Sequence, residues 1–208
     1  MGDVTEDGAR LTRRLVLTDE VAQSRELAAR FDSRIDSYPS AIASLSEIAS
    51  EIDVAIFHVR AQVGISAGFI SAWNELSERH IPRLVIVTDL DGEVDFDDIV
   101  LIINRVADPV VTPYLVLHDE TGNASGLIEL ETHLVADYSV NPVRRYLADD
   151  DLITLVSEFR AEYLENAHEF GDGAFENALL FPAIPCDLTK GFGVDESKKY
   201  LDLIPRRS

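Results

Sequence analysis

The sequence has few lysines, and none of them is placed as a phosphate-binding loop requires. Only three of its 18 basic residues are lysines, Lys190, Lys198 and Lys199, and none of them follows a glycine. A P-loop places a lysine directly after a glycine and before serine or threonine, because that side chain reaches the phosphates of a bound nucleotide. The sequence therefore contains no P-loop.

Cysteine and long apolar segments are also scarce. The single cysteine, Cys186, excludes a disulfide framework and a cysteine-based zinc site. No segment approaches the roughly 18 consecutive apolar residues of a membrane helix, and the N-terminus lacks the basic-then-apolar order of a secretory signal. We therefore expect a cytoplasmic protein without a membrane partner, in which Cys186 is a core residue rather than a nucleophile.

Negative charge is abundant. The 208 residues include 38 acidic and 18 basic side chains, which give a net charge of −20. Generic binding to nucleic acid depends on lysine and arginine contacts with phosphates, so the charge argues against nucleic acid as a general partner. The apolar fraction of 46% is sufficient for a buried core and excludes a disordered chain.

Short apolar runs alternate with helical patterns in the first half of the chain. Residues 54–59 and 84–87 are rich in β-forming side chains and predict buried strands. Apolar residues at helical spacing predict three helices: one before the first strand, one between the two strands and one after the second. The apolar residues of the three helices are Ile42, Leu45, Ile48 and Ile52; Phe69, Trp73 and Leu76; and Phe96, Ile99, Val100, Ile103 and Val106. Asp95 directly precedes the third helix and can cap it.

The middle of the chain interrupts this alternation with consecutive strands, predicted at 114–117, 126–130 and 133–138. A long helix should follow, with Leu152, Val156, Phe159 and Tyr163 on one face, and then a strand at 179–184 and a helix at 194–204. The predicted fold class is α/β, with a mainly parallel sheet, helices on both of its faces and a small antiparallel insert.

Several of these segments resemble one family. Residues 53–64 read DVAIFHVRAQVG and resemble the strand and turn DGAVVVVDAVxGV of translational GTPases of the elongation factor G class. Residues 80–91 read HIPRLVIVTDLD and are similar to GIPRIxFVNKMD, which contains the family's base-recognition motif. Residues 112–138 resemble the G′ insert, and residues 182–196 resemble PVLCGSA…GVxxLL, the last nucleotide-contacting loop.

The resemblance covers roughly residues 35–205 and implies a P-loop-GTPase-like fold with two units. A degenerate G-domain core would comprise residues 1–109 and 178–208, and a G′-like insert subdomain residues 110–177. The family's first strand, P-loop and first helix are then missing, or the sheet takes a replacement strand from residues 10–20. Because missing strands expose a sheet edge, we also expect self-association into a homo-oligomer.

Three positions correspond to guanine recognition in the family. Asp91 matches the aspartate of NKxD, Thr88 replaces its asparagine, and Asp187 stands where the last loop has serine. Asp89 replaces the lysine that stacks on the base and adds negative charge near any phosphate. The aspartate can still accept hydrogen bonds from guanine, although a solvated carboxylate in a turn is the simpler interpretation.

Other polar residues receive structural interpretations. Asp36-Ser37-Tyr38-Pro39 stands where the family has its γ-phosphate-sensing DTPG loop, and we interpret it as a turn and helix cap. His58 lies in a predicted buried strand and is expected to be a core residue with its hydrogen bonds satisfied. The trio His118, Asp119 and Glu120 fits either a metal site or a turn.

Two functional hypotheses follow from the resemblance. In the first, the chain is an elongation factor G-like domain that has lost GTP hydrolysis, has no catalytic residues, metal or cofactor, and serves protein interaction. The family's insert contacts the ribosomal stalk protein, which makes the ribosome or its stalk a possible partner by resemblance. In the second, a residual guanine-nucleotide-binding domain holds GDP or GTP through Asp91, Thr88 and Asp187 and is completed by a partner or a missing segment.

Overall fold

The computed structural model describes residues 12–38, 48–90 and 94–205. In chain order the strands and helices are β1 Arg14–Thr18, α1 Val21–Arg30, β2 Arg34–Ser37, β3 Val54–Arg60, α2 Ala67–Glu78, β4 Arg83–Thr88, α3 Phe96–Val106, β5 Tyr114–His118, β6 Ala124–Glu129, β7 Leu134–Asp137, β8 Arg144–Leu147, α4 Asp150–Leu155, α5 Ser157–Phe170, β9 Ala183–Pro185 and α6 Val194–Leu203.

Five of the strands form a parallel sheet in the order β2-β1-β3-β4-β9. Side chains alternate between the two faces of a strand, and both faces of β3 are buried. Ala55 and Phe57 point to the apolar cluster that contains Phe69 and Trp73 of α2. Ile56 points to the opposite cluster, which includes residues of α1 and α6. Burial on both faces explains why β3 and β4 read as continuous apolar runs.

The remaining four strands form an antiparallel sheet in the order β5-β6-β7-β8, which packs with α4 and α5 around a third apolar cluster. Polar contacts join this sheet to α6. The hydroxyl of Tyr138 donates to Glu196 Oε2 at 2.7 Å, and Lys199 Nζ donates to Glu129 Oε1 at 3.0 Å. The insert is therefore attached to the last helix of the parallel-sheet unit.

The predicted fold class is confirmed: the parallel sheet has helices on both faces and is accompanied by a small antiparallel sheet. The sequence left open whether the sheet takes a strand from residues 10–20. The structure has such a strand, since β1 lies inside the sheet between β2 and β3. The predicted helix containing Ile42 and Leu45 lies largely outside the described residues.

Three details of the predicted pattern are wrong. The long helix is interrupted at Val156, which separates α4 from α5, and Phe159 is exposed rather than part of the buried face. Val106 at the end of α3 is also exposed. The last strand is shorter than expected because only Ala183–Pro185 pairs with β4, and Leu179 is exposed. Among the described residues, the helices are too short or too polar to cross a membrane.

Candidate functional site

A cleft of about 750 Å³ lies at the carboxyl ends of β3, β4 and β9. Helix α1 contributes Gln23 and Glu26 to one wall, and the turn between β5 and β6 contributes Asn123 to another. From β1 the chain adds β2 on one side and later β3 on the other, so the strand order reverses between β1 and β3, beside the cleft. Ligands of open α/β sheets bind beside such a reversal at the carboxyl ends of the strands.

The floor of the cleft contains a chain of buried hydrogen bonds centred on His58 of β3. The ring nitrogen Nδ1 lies 2.6 Å from Ser24 Oγ of α1, and Nε2 lies 2.8 Å from Thr88 Oγ1 of β4. Ser24 Oγ also lies 2.8 Å from Thr18 Oγ1 and donates to the carbonyl of Glu20 at 3.0 Å. The chain thereby joins the ends of β1, β3 and β4 to the first helix.

One proton arrangement satisfies every member of this chain. Ser24 has a single hydroxyl proton, and the carbonyl of Glu20 can only accept, so Ser24 donates to Glu20. His58 Nδ1–H then donates to Ser24, and His58 Nε2 accepts from the hydroxyl of Thr88. This arrangement needs a neutral ring. The pKa of His58 is lowered from 6.5 to about 4, mainly by burial, which Asp89 opposes and the nearby Arg60 reinforces.

Arg60 at the end of β3 is held between two carboxylates. Its Nε donates to Asp89 Oδ2 at 2.5 Å, and its Nη1 donates to Glu20 Oε2 at 2.8 Å. The hydrogen bond with Asp89 is the largest of the influences that raise the pKa of Arg60. Arg60, which contacts Glu20 of the connection between β1 and α1, is therefore already neutralised by the protein's own side chains.

The structure brings two of the three predicted guanine-recognition residues to this cleft. Thr88 lies in the floor, where its hydroxyl is bonded to His58, and Asp187 lies in the wall beyond β9. Asp187 Oδ1 accepts hydrogen bonds from the backbone amides of Thr189 and Lys190 at 2.9 and 3.2 Å. Asp91 lies outside the described residues. Both described side chains thus have partners within the protein.

The wall that contains Asp187 is shaped by a glycine at the start of α6. Gly193 has φ +74°, and a Cβ atom there would lie 2.0 Å from the carbonyl oxygen of Pro185. Only glycine tolerates both the left-handed backbone and this close approach. The turn allows Asp187 to pair with Phe192 and closes the loop against the end of β9.

Cys186 and Asp119, which the sequence also suggested as candidates, are a buried core residue and a turn residue, respectively. Cys186 is fully buried, and burial raises the pKa of its thiol to about 12, which suppresses the thiolate. Asp119 Oδ1 accepts from the amides of Thr121 and Asn123, as expected for a turn. Within the described ranges, histidine, cysteine and acidic side chains form no group of three or more that could hold a metal.

Sequence reasoning did not identify Thr18, Ser24 or the pairing of Arg60 with Glu20. These contacts join elements that are up to 40 residues apart in the chain. Ser24 lies between Gln23 and Arg25 in the sequence, so spacing carries no signal for its contact with His58. The apolar surroundings of His58 in the sequence were the only local indication that this residue lies in the core.

Comparisons with known proteins support the fold alone. No protein-family model matches the chain, and no curated protein matches it. A crystal structure of a protein from Thermus thermophilus is similar, with a TM-score of 0.68 and 18% sequence identity. The similarity covers 94% of this chain but only 40% of that chain, so this chain corresponds to less than half of the longer protein.

Proposed function

We propose that this chain is an elongation factor G-like domain that has lost GTP binding and hydrolysis and serves as a protein-interaction domain. The observation that carries the proposal is the neutralisation of Arg60 by Glu20 and Asp89 at the mouth of the strand-end cleft. A bound phosphate would have to displace two carboxylates from this guanidinium before it could use the cation.

The connection between β1 and α1 supports the same conclusion. A P-loop surrounds phosphates with the amides of a glycine-rich loop and adds a lysine. Here Asp19 and Glu20 alone connect the strand to the helix. The two residues provide neither the glycine-dependent loop nor a cation, and their carboxylates add negative charge beside the positive end of the α1 dipole.

The charge of the cleft also disfavours a triphosphate. Glu26, Asp89 and Asp187 line it together with two cations, Arg60 and Lys190. Arg60 is paired as described, and Lys190 Nζ lies 3.8 Å from Asp187 Oδ2. Magnesium could offset the charge of a nucleotide only with ligands of its own, which GTPases supply from a P-loop serine or threonine and an aspartate.

A nucleotide titration tests this proposal directly. A fluorescent GDP or GTP analogue, with Mg²⁺ present, should show no binding tighter than about 100 μM, equivalent to about −5.5 kcal/mol. The alternative hypothesis, a residual guanine-nucleotide-binding domain, predicts tighter binding that Asp91→Asn abolishes. Asp151→Asn on the insert is the matched control, since it removes a carboxylate that does not line the cleft. Tight binding lost only in Asp91→Asn would overturn the proposal.

The insert is the unit that we propose contacts the partner. Its apolar side chains Leu147, Leu155 and Phe159 are exposed, and exposed apolar surface is available for contact with a partner. By resemblance to the elongation factor G class, the partner is the ribosome or its stalk protein. Net negative charge argues against binding through ribosomal RNA alone, so we expect contact with ribosomal protein.

Co-sedimentation with purified ribosomes tests the partner. The chain should pellet with ribosomes, and a variant with Leu155→Glu and Phe159→Glu should remain in the supernatant. Ile102→Glu, a substitution of an exposed apolar residue on α3, is the control and should pellet like the parent. Equal recovery of the parent in pellets with and without ribosomes would remove the ribosome as the proposed partner.

A further inference from the structure

Helix α3 has a second apolar stripe that faces away from the core. Phe96, Ile99 and Ile103 are buried against the parallel sheet, as an amphipathic helix requires. On the opposite side, Leu101 is 54% exposed and Ile102 is 40% exposed. A surface helix normally has polar residues on this side, so the outer stripe indicates a surface that another molecule covers.

Opposite charges lie at the two ends of the outer stripe. Asp98, Leu101, Ile102 and Arg105 follow the spacing i, i+3, i+4, i+7 and therefore share one helix face. Asp98 and Arg105 are exposed, and neither side chain forms an ion pair with another described residue. The face thus has an apolar centre, an anion towards the N-terminus and a cation towards the C-terminus.

This pattern is complementary to itself when the helix is reversed. If two copies of α3 pack antiparallel, Leu101 of one copy faces Ile102 of the other. The same register places Asp98 opposite Arg105 at both ends of the contact. We propose that the outer face of α3 is the interface of a symmetric homodimer, in which each face binds the same face of a second copy.

The electrostatics favour a second copy over an arbitrary apolar partner. Each dimer would contain two identical Asp98–Arg105 pairs across the interface. Antiparallel packing also places the positive end of one helix dipole beside the negative end of the other. Two chains of net charge −20 repel each other, but at 0.15 M salt the Debye length is about 8 Å, so repulsion between charges farther apart than this is largely screened.

The small contact implies a weak dimer. One helix of 11 residues on each side falls short of the roughly 1,200 Å² of total surface that stable interfaces bury. We therefore expect a dissociation constant between about 10 μM and 1 mM, in rapid exchange, as for transient interfaces. This inference concerns a different surface from the cleft and the insert and does not depend on the proposed function.

Sedimentation equilibrium from about 10 μM to 1 mM protein at 0.15 M salt tests the interface. The parent chain should change from monomer to dimer over this range, and Leu101→Glu should remain monomeric. Leu155→Glu, at a more exposed leucine on the insert, should dimerise like the parent. Circular dichroism confirms that the variants are folded. A parent that stays monomeric to 1 mM, or a dimer that Leu101→Glu leaves unchanged, would overturn the proposal.

A charge exchange tests the antiparallel register. Asp98→Arg places two cations opposite each other, and Arg105→Asp places two anions opposite each other. Either single variant should weaken dimerisation by at least tenfold, and the double variant should return to within about threefold of the parent, because the ion pairs are restored in reverse. A double variant no better than the weaker single variant would show that Asp98 does not face Arg105 of the second copy.

Discussion

Acidification should destabilise the protein through His58. The ring is buried, and its pKa in the folded protein is about 4, against 6.5 in an unfolded chain. Between these two values the unfolded chain takes up a proton that the folded chain resists, so the free energy of unfolding falls as pH decreases. The stabilisation is complete above the unfolded pKa, falls as pH drops below about 6.5, and is fully lost below about pH 4.

The size of the effect follows from the two pKa values. Their difference of about 2.5 corresponds to about 3.4 kcal/mol in full, at 1.36 kcal/mol for each pKa unit. A decrease from about pH 7.5 to about pH 5 covers part of this range and should reduce the free energy of unfolding by about 2 kcal/mol. Protonation would also convert Nε2 into a donor, so the hydroxyl of Thr88 would have to reverse its direction.

Urea unfolding of the parent and of His58→Gln at both pH values measures this contribution. The variant has a lower stability at neutral pH because it loses hydrogen bonds in the floor of the cleft. It should nevertheless lack about 2 kcal/mol of the pH dependence seen in the parent. The reasoning would be refuted by equal pH dependence in the two proteins, or by an NMR titration of the folded parent that gives His58 an ordinary pKa.

Two further predictions concern stability. Gly193→Ala should destabilise the fold by about 3 kcal/mol or more. Gly191→Ala is the control, because Gly191 has a similar φ but open space where its Cβ would lie, and it should cost about 1 kcal/mol. Equal losses of stability in thermal unfolding would contradict the close approach of Gly193 to the carbonyl of Pro185. Asp108→Ala should cost about 2 kcal/mol because it removes the half-exposed carboxylate that pairs with the buried guanidinium of Arg83 and accepts hydrogen bonds from Trp73 and Ser77. Adding Arg83→Met should recover part of that loss in a double-mutant cycle, and strictly additive losses would contradict the coupling.

The elements predicted correctly are those with a strong local pattern. β3 and β4 are continuous apolar runs because both faces of each strand are buried. Helix α3 begins where Asp95 caps the amide of Asp98, as its sequence indicates. By contrast, β8 was not predicted, because its four residues are all exposed and lack an apolar alternation.

The N-terminal region shows why local pattern is insufficient. β1 is five residues long, and its apolar core of Leu15, Val16 and Leu17 is too short to distinguish a strand from a helix segment. Its position inside the sheet depends on pairing with β2 and with β3, which starts 40 residues after it. The same pairing places Thr18 beside the residues of the cleft.

The candidate site was predictable only as a set of positions. Strand ends and family resemblance indicated Thr88 and Asp187, and both line the cleft. Their hydrogen-bond partners were not predictable. His58 of β3 contacts Thr88 of the neighbouring strand β4, 30 residues later in the chain. Asp187 accepts from amides of its own loop, whose conformation has no local pattern in the sequence. The GDP or GTP contacts of Thr88, Asp91 and Asp187 stay a prediction for the titration.

Three properties can be seen in the amino-acid sequence alone: the absence of a P-loop lysine, the net charge of −20 and the alternation of strands and helices. Each of these depends on composition or on spacing within one segment. Two other properties depend on how the chain folds: Glu20 and Asp89 neutralise Arg60, and Leu101 and Ile102 remain exposed. Parallel strands and packed helices bring together residues that are distant in the chain, and the spacing of residues within one segment does not indicate such contacts.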